Sequence, residues 1–293
     1  MVQQSSKKAV TGLERRSARV IHYNLSYVVQ GAELGTDGAI VLLHDILGGA
    51  FAWDAILPQL SGLQRAVYAI DLLGYGQSDH PWPADTSVWG HADCLALLFE
   101  QLNLTNIVLV GHGIGGGVAQ ILATRLSSKR VASLVLIDTI CYDHAFAPDW
   151  PLVDMKKGQD PEVPLGVDLT DLQNELRTNL PKAVVNTNAF AQALDHYIEP
   201  WNSHVGKEEL YQHVRLLIPY YSNAVSSDLK VLGRPVLIIW GEKDQQNPLE
   251  YGERLFREIP ASSLVVVPNA GHLVLFDAPD EVAGALNKFI SAL

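Results

Sequence analysis

The chain predicts an α/β domain: a mostly parallel central sheet of about eight strands flanked by helices, with a helical insertion. Three observations predict it. Short, near-continuous apolar runs recur along the sequence, as expected of strands covered on both faces. Helical patterns separate most successive runs, the alternation that builds a parallel sheet wrapped on both sides. One long interval, residues 140–229, breaks this rhythm and carries no buried-strand run.

The elements follow in order. Within 18–30, Val20, Tyr23, Leu25, Tyr27 and Val29 hint at period-two patterning and an early pair of strands. Segments 39–44, 66–72, 107–111, 134–138, 236–240 and 264–267 read as buried strands, and 52–61, 87–102, 116–127, 248–258 and 279–292 as helices. In the odd interval a Pro- and Asp-bearing stretch at 148–164 precedes helical patterns at 168–180, 183–198 and 206–221. That is too long for an unstructured connection in a compact domain, so it reads as an inserted helical cap. The expected division is a core of 20–139 with 230–293, a cap of 140–229, and a poorly ordered leader of 1–19 holding Lys7, Lys8, Arg15, Arg16 and Arg19.

Composition narrows the function classes. At 293 residues and 48% hydrophobic the chain can bury a full core. A net charge of −11 without a long basic run argues against nucleic acid or an anionic membrane as partner. No apolar stretch approaches the ~20 residues of a membrane span, and no signal-peptide pattern opens the chain. Cys94 and Cys141 leave no disulfide framework and suit two buried thiols in a reducing cytoplasm. The cap histidines His144, His196, His204 and His213 have no metal-ligand spacing, so no metal and no cofactor is expected. A small molecule is the expected partner.

Residues 107–118 read Ile-Val-Leu-Val-Gly-His-Gly-Ile-Gly-Gly-Gly-Val. A strand running through small residues into a helix is the shape of a nucleophile elbow, G-x-S-x-G, whose central side chain stands exposed on a sharp turn. Here the centre is Gly113, which has no atom with which to attack a carbonyl. Three further segments keep company with it: His44-Asp45-Ile46-Leu47-Gly48-Gly49, Asp71-Leu72-Leu73-Gly74-Tyr75-Gly76-Gln77-Ser78, and the pair Trp240-Gly241-Glu242-Lys243-Asp244 and Asn269-Ala270-Gly271-His272.

On these four segments, in this order, the chain resembles the α/β-hydrolase family from about residue 20 to the end, with a cap after the sixth strand. The resemblance implies His272 as general base and Asp244 as the carboxylate that fixes its tautomer, with Asp138 as a rival carboxylate. It implies the backbone N–H groups of Ile114 and Ile46 as oxyanion donors. Asp45 stands where the family usually has Gly after the loop histidine. It reads equally as a substrate-facing carboxylate and as an outward residue capping the next helix. His112 sits next to the elbow centre, with a packing role and a substrate-facing one both open. The cap aromatics Tyr142, Phe146, Trp150, Tyr197, Trp201, Tyr220 and Tyr221 either line an apolar pocket or form the cap's own core.

Three readings of Gly113 compete: a diverged enzyme that uses His272 and Asp244 without a covalent serine intermediate, a non-catalytic ligand binder, and an engineered knockout of a serine or aspartate hydrolase. The first is favoured because Gly113 and Asp45 depart from pattern together. It implies a hydrolase-like enzyme for a small, largely apolar ester or carbonyl substrate. Gly111, Gly115 and Gly116 lead to the expectation that a serine at 113 would fit without disturbing the fold.

Overall fold

The computed structural model describes residues 12–144 and 168–293. Eight strands form one sheet: β1 (Glu14–Val20), β2 (Tyr23–Gln30), β3 (Ile40–Leu43), β4 (Val67–Ile70), β5 (Ile107–His112), β6 (Val131–Ile137), β7 (Val236–Gly241) and β8 (Ser262–Val267). Their spatial order is β1-β2-β4-β3-β5-β6-β7-β8. The β1–β2 and β2–β4 pairs are antiparallel and every later pair is parallel. Strands β3, β4, β5 and β7 are buried along their whole length, which is why they carry no polar alternation. One apolar cluster covers each face of the sheet.

The chain order reverses direction at β3. From there β4 lies on one side and β5 on the other, so the loops leaving β3 and β5 diverge around a crevice at the strand ends. Ligands of open α/β sheets bind at such a switch point. The register Leu43↔Gly111 then sets two loop residues side by side: Asp45, two beyond Leu43, and Gly113, two beyond Gly111.

The sequence reading needs correcting in three places. The stretch 1–19 is not all leader, because β1 starts at Glu14 and pairs with β2 along its length. Arg15 leaves the expected solvated group and forms an ion pair with the buried carboxylate of Asp71. That carboxylate also accepts from the backbone N–H groups of Ala50 (2.6 Å) and Gln77 (3.2 Å), tying the 71–78 turn to the loop after β3. The earlier residues 1–11 lie outside the described chain. Second, the helix expected at 52–61 is two 3-10 segments, Ala50–Trp53 and Leu57–Leu63. Their i→i+3 bonds begin at Gly49, and Pro58 has no N–H to continue an α-helix. Third, Cys94 is half-buried rather than buried.

Helix α1 (Val88–Gln101) is capped by Ser87, whose Oγ accepts from the N–H of Gly90 at 3.1 Å. Helix α2 (Ile114–Arg125) starts directly at the elbow. It packs hard onto the sheet: a Cβ on Gly115 would stand 2.6 Å from the carbonyl oxygens of Leu43 and His44. From Leu169 to Leu229 the described interval between β6 and β7 is built of short helices. The expected helix 183–198 is split into Thr187–Ala191 and Leu194–Ile198, and 206–221 into His204–Arg215 and Pro219–Ala224. Asn186 and Ser203 cap two of these starts, and Pro219 opens a third. Tyr197 and Trp201 are buried, and Tyr197 packs against Phe190, Phe51 and Phe276; Tyr220 is exposed. Phe146 and Trp150 lie outside the described residues.

Candidate active site

Gly113 closes β5 and opens α2 with φ 53° and ψ −117°, a conformation that strains any residue with a Cβ. The elbow geometry is therefore kept while the side chain is absent. The space is not left over. A Cβ built on Gly113 would fall on the carboxylate of Asp45. Asp45 points inward, so the outward helix-capping alternative is not the one adopted. Its Oδ1 accepts from the N–H of Ile114 at 2.8 Å, and its Oδ2 lies 3.0 Å from Nε2 of His272. One amide expected to serve an oxyanion is thus already held by a side chain. The physical cause is the β3–β5 register, which aims the 45 side chain at the vacancy above Gly113. Ile46, the other expected oxyanion residue, is buried beside it.

Its own loop holds Asp45 in place. The N–H of Gly48 donates to the Asp45 carbonyl at 3.0 Å, and His44 Nδ1 is 2.7 Å from the same oxygen. His44 Nε2 accepts from the N–H of Leu72 at 3.0 Å, so the His44 proton sits on Nδ1 and is donated to that carbonyl.

On the other side, His272 Nδ1 is 2.8 Å from Oδ2 of Asp244. The second oxygen of Asp244 accepts from the N–H groups of Gln246 (2.8 Å) and Asn247 (2.9 Å) in the loop after β7. One imidazole thus bridges two carboxylates from opposite ends of the site: Asp45, His272 and Asp244 form a continuous line. All three side chains are nearly inaccessible, at 4%, 2% and 0% exposure. Burial alone would drive the proton off His272. The charges and hydrogen bonds of Asp244 and Asp45 outweigh it and hold the imidazole well above its usual range. Burial likewise opposes charge on Asp45, but the hydrogen bond and charge of His272 keep its carboxyl low. The expected base thus lies between two carboxylates, and both favour its charged form.

Asp138 is placed behind this line. Its Oδ1 accepts from the N–H of Gly241 at 2.8 Å. Burial, then repulsion from Asp244, pushes its carboxyl well above the carboxylate range, toward the neutral acid. It does not reach His272 as a rival partner. His112 is fully buried, with Nε2 2.8 Å from the backbone oxygen of His272 and Nδ1 without a hydrogen-bond partner. The cap histidines stay apart: His144 meets the Gln246 carbonyl, and His213 meets Thr86 and Gly74. Sequence reasoning missed the joining of Asp45 to His272. The available signal was that a residue lost its side chain in one loop while a carboxylate appeared in the adjacent one.

Comparison with known proteins agrees with the architecture. The family model described as alpha/beta hydrolase fold matches residues 38–279. An uncharacterized hydrolase, YugF of Bacillus subtilis, is 24% identical over 262 residues, covering 86% of this chain and 89% of its own. The 2-hydroxy-6-oxo-2,4-heptadienoate hydrolase of Pseudomonas putida is 25% identical over 274 residues, covering 89% and 91%. The crystal structure of Cfl2 from Burkholderia cenocepacia superposes with a TM-score of 0.80 at 23% identity, covering 96% of both chains. With the elbow, the paired carboxylate and histidine loops and the switch-point crevice in place, the chain belongs to the α/β-hydrolase fold family.

Proposed function

We propose that the protein is a hydrolase-like acid–base enzyme for a small, largely apolar ester or carbonyl substrate, working without a covalent serine intermediate. The observation that carries this reading is the Asp45 carboxylate, which takes the volume above Gly113 and bonds both Ile114 N–H and His272. A side chain that a hydrolase would use as nucleophile is replaced by a carboxylate that holds a proton in common with the histidine.

The chemistry follows from who holds protons. The Asp45 carboxyl is held low and the His272 imidazole high, so His272 is the proton carrier, with Asp244 bonded to its other nitrogen. A water placed against Asp45 gives up a proton to the carboxylate as its oxygen adds to the substrate carbonyl carbon. His272 delivers its Nε2 proton to the carbonyl oxygen, so the tetrahedral adduct forms neutral. Collapse breaks the bond to the leaving group, which departs with the proton from Asp45, and the adduct's hydroxyl returns its proton to His272. Asp244 steadies the imidazole throughout. With Ile114 N–H engaged by Asp45, the His272 proton does the work that oxyanion amides do elsewhere.

The relation to a hydrolase of 2-hydroxy-6-oxo-2,4-heptadienoate supports a carbonyl-bearing substrate. The test is a panel of short-chain p-nitrophenyl esters and small vinylogous keto acids with wild type, His272→Ala and Asp45→Asn. Turnover in wild type that both variants lose supports the proposal. An acyl-enzyme trapped on any side chain overturns it, and saturable binding without turnover favours the ligand-binding alternative.

A further inference from the structure

We infer that Asp45, His112 and His272 form a binding site for one divalent transition-metal ion, taken up where the Asp45–His272 proton now lies. One donor atom from each of the three buried side chains lies within 4.8 Å of the others. Asp45 Oδ2 and His272 Nε2 are already 3.0 Å apart. Ligands at 2.0–2.1 Å from a tetrahedral ion stand about 3.4 Å from one another, close to the spacing this Asp45–His272 pair already has.

The tautomers are what make this more than proximity. His112 Nε2 faces a carbonyl oxygen, which only accepts, so its proton is on Nε2 and the Nδ1 lone pair is free. That Nδ1 is fully buried and has no hydrogen-bond partner. His272 Nδ1 faces Asp244, which leaves Nε2 as its ligating atom. Metal-bound histidines almost always donate their other nitrogen to a carboxylate or a backbone carbonyl, and these two do one of each. Gly113 is part of the design, since any side chain there would fill the place from which Asp45 reaches the site.

Two imidazoles and one carboxylate select Zn²⁺, Co²⁺ or Fe²⁺ rather than Mg²⁺ or Ca²⁺, which prefer all-oxygen shells. Three protein ligands leave a coordination position open to water or to a substrate oxygen, the arrangement of a catalytic rather than a structural site. The ion takes the place of the Nε2 proton, so the metal-bound and proton-transfer forms are alternative states of the same site, and the two readings fail separately.

The experiment uses tag-free, full-length protein stripped with a chelator and titrated with Co²⁺, then with competing Zn²⁺. The expected result is one Co²⁺ per chain with a visible absorption band of nitrogen ligation, displaced by one equivalent of Zn²⁺. His112→Gln and Asp45→Asn should lose the band while keeping the wild-type far-ultraviolet spectrum and a cooperative melt. Asp244→Asn, which touches only the histidine behind the ion, should weaken binding about 10- to 100-fold. Absence of stoichiometric binding, or equal binding by wild type and His112→Gln, overturns the inference. Full turnover by chelator-treated protein that binds no Co²⁺ removes the metal and leaves the proton reading standing. Turnover lost to the chelator and restored by Zn²⁺ does the reverse. If no ester is turned over in either form yet the band persists, the metal site stands and the proposed reaction falls.

Discussion

The buried imidazoles around Tyr75 are neutral, whereas the one in the candidate active site, His272, is held toward its charged form. His44, His91 and His213 surround Tyr75, with ring centroids 5.2, 6.0 and 4.4 Å from it. Their polar partners are backbone groups and the Thr86 hydroxyl, and the ring nitrogens of His91 have none. Burial therefore decides their state: His91 is pushed down to about 3 and His213 to about 4. His272 is buried as deeply but bridges two carboxylates, and is held charged. Depth does not set the charge of a histidine; the groups its nitrogens face do.

The strongest way to break this contrast is to make the charged group resemble the neutral one. Asp45→Asn keeps the shape and removes one of the two carboxylates, and His272→Ala removes the bridge. Each should lower turnover at least about 10²-fold, the usual yield of a positioned acid–base group. Steady-state rates on any ester that wild type hydrolyses check this, and an unchanged rate in either variant would remove the assignment.

Next in size is the elbow itself. Gly113→Ser must displace the Asp45 carboxylate and place a Cβ at positive φ, so the expected cost is about 1–3 kcal/mol in urea unfolding. This reverses the expectation from sequence that a serine fits freely. Adding Asp45→Gly clears the space and should recover most of the loss. A fluorophosphonate should label the 107–118 peptide of the double variant and leave wild type unlabelled. A single variant as stable as wild type would show that Asp45 does not occupy the vacancy.

The neutral group sharpens the comparison through pH. Its histidines have folded-state values below the unfolded value of about 6.5, so their stabilisation is complete above that pH. For His91 and His213 it is lost as pH falls from about 6.5 toward about 3 and about 4, at about 1.4 kcal/mol per pH unit for each. Thermal midpoints across this window should fall steeply for wild type and less steeply for His91→Leu. Parallel curves would contradict a neutral His91.

The smallest effect is expected at Asp138. Burial and Asp244 favour its neutral form, so Asp138→Asn mimics that form in charge and most contacts. Turnover should change less than about 10-fold, against at least about 10² for Asp244→Asn. Equal losses would restore Asp138 as a rival partner of the histidine.

The amino-acid sequence by itself determined the sheet and its loops. Continuous apolar runs such as 107–111 and 236–240 have no polar face to offer water, so they become doubly covered strands. The turn residues around Gly113, Asp244 and His272 mark the ends of β5, β7 and β8 for the same local reason. Sequence was weaker where local patterns are short. The 3-10 segments after β3 follow from Pro58 and the turn at Gly49, and β1 from pairing with β2, which no pattern within 14–20 alone specifies. What only the tertiary structure decided is the meaning of Gly113 and Asp45. They are 68 positions apart, and nothing in either loop says that they touch. The parallel register of β3 on β5 brings them together, so that a missing side chain on one strand is filled by a carboxylate from the next. Whether His272 is a free base or a clasped imidazolium then depends on two carboxylates delivered by different strand ends. Electrostatic state is a property of such meetings in space, whereas the strands that arrange them are a property of local pattern.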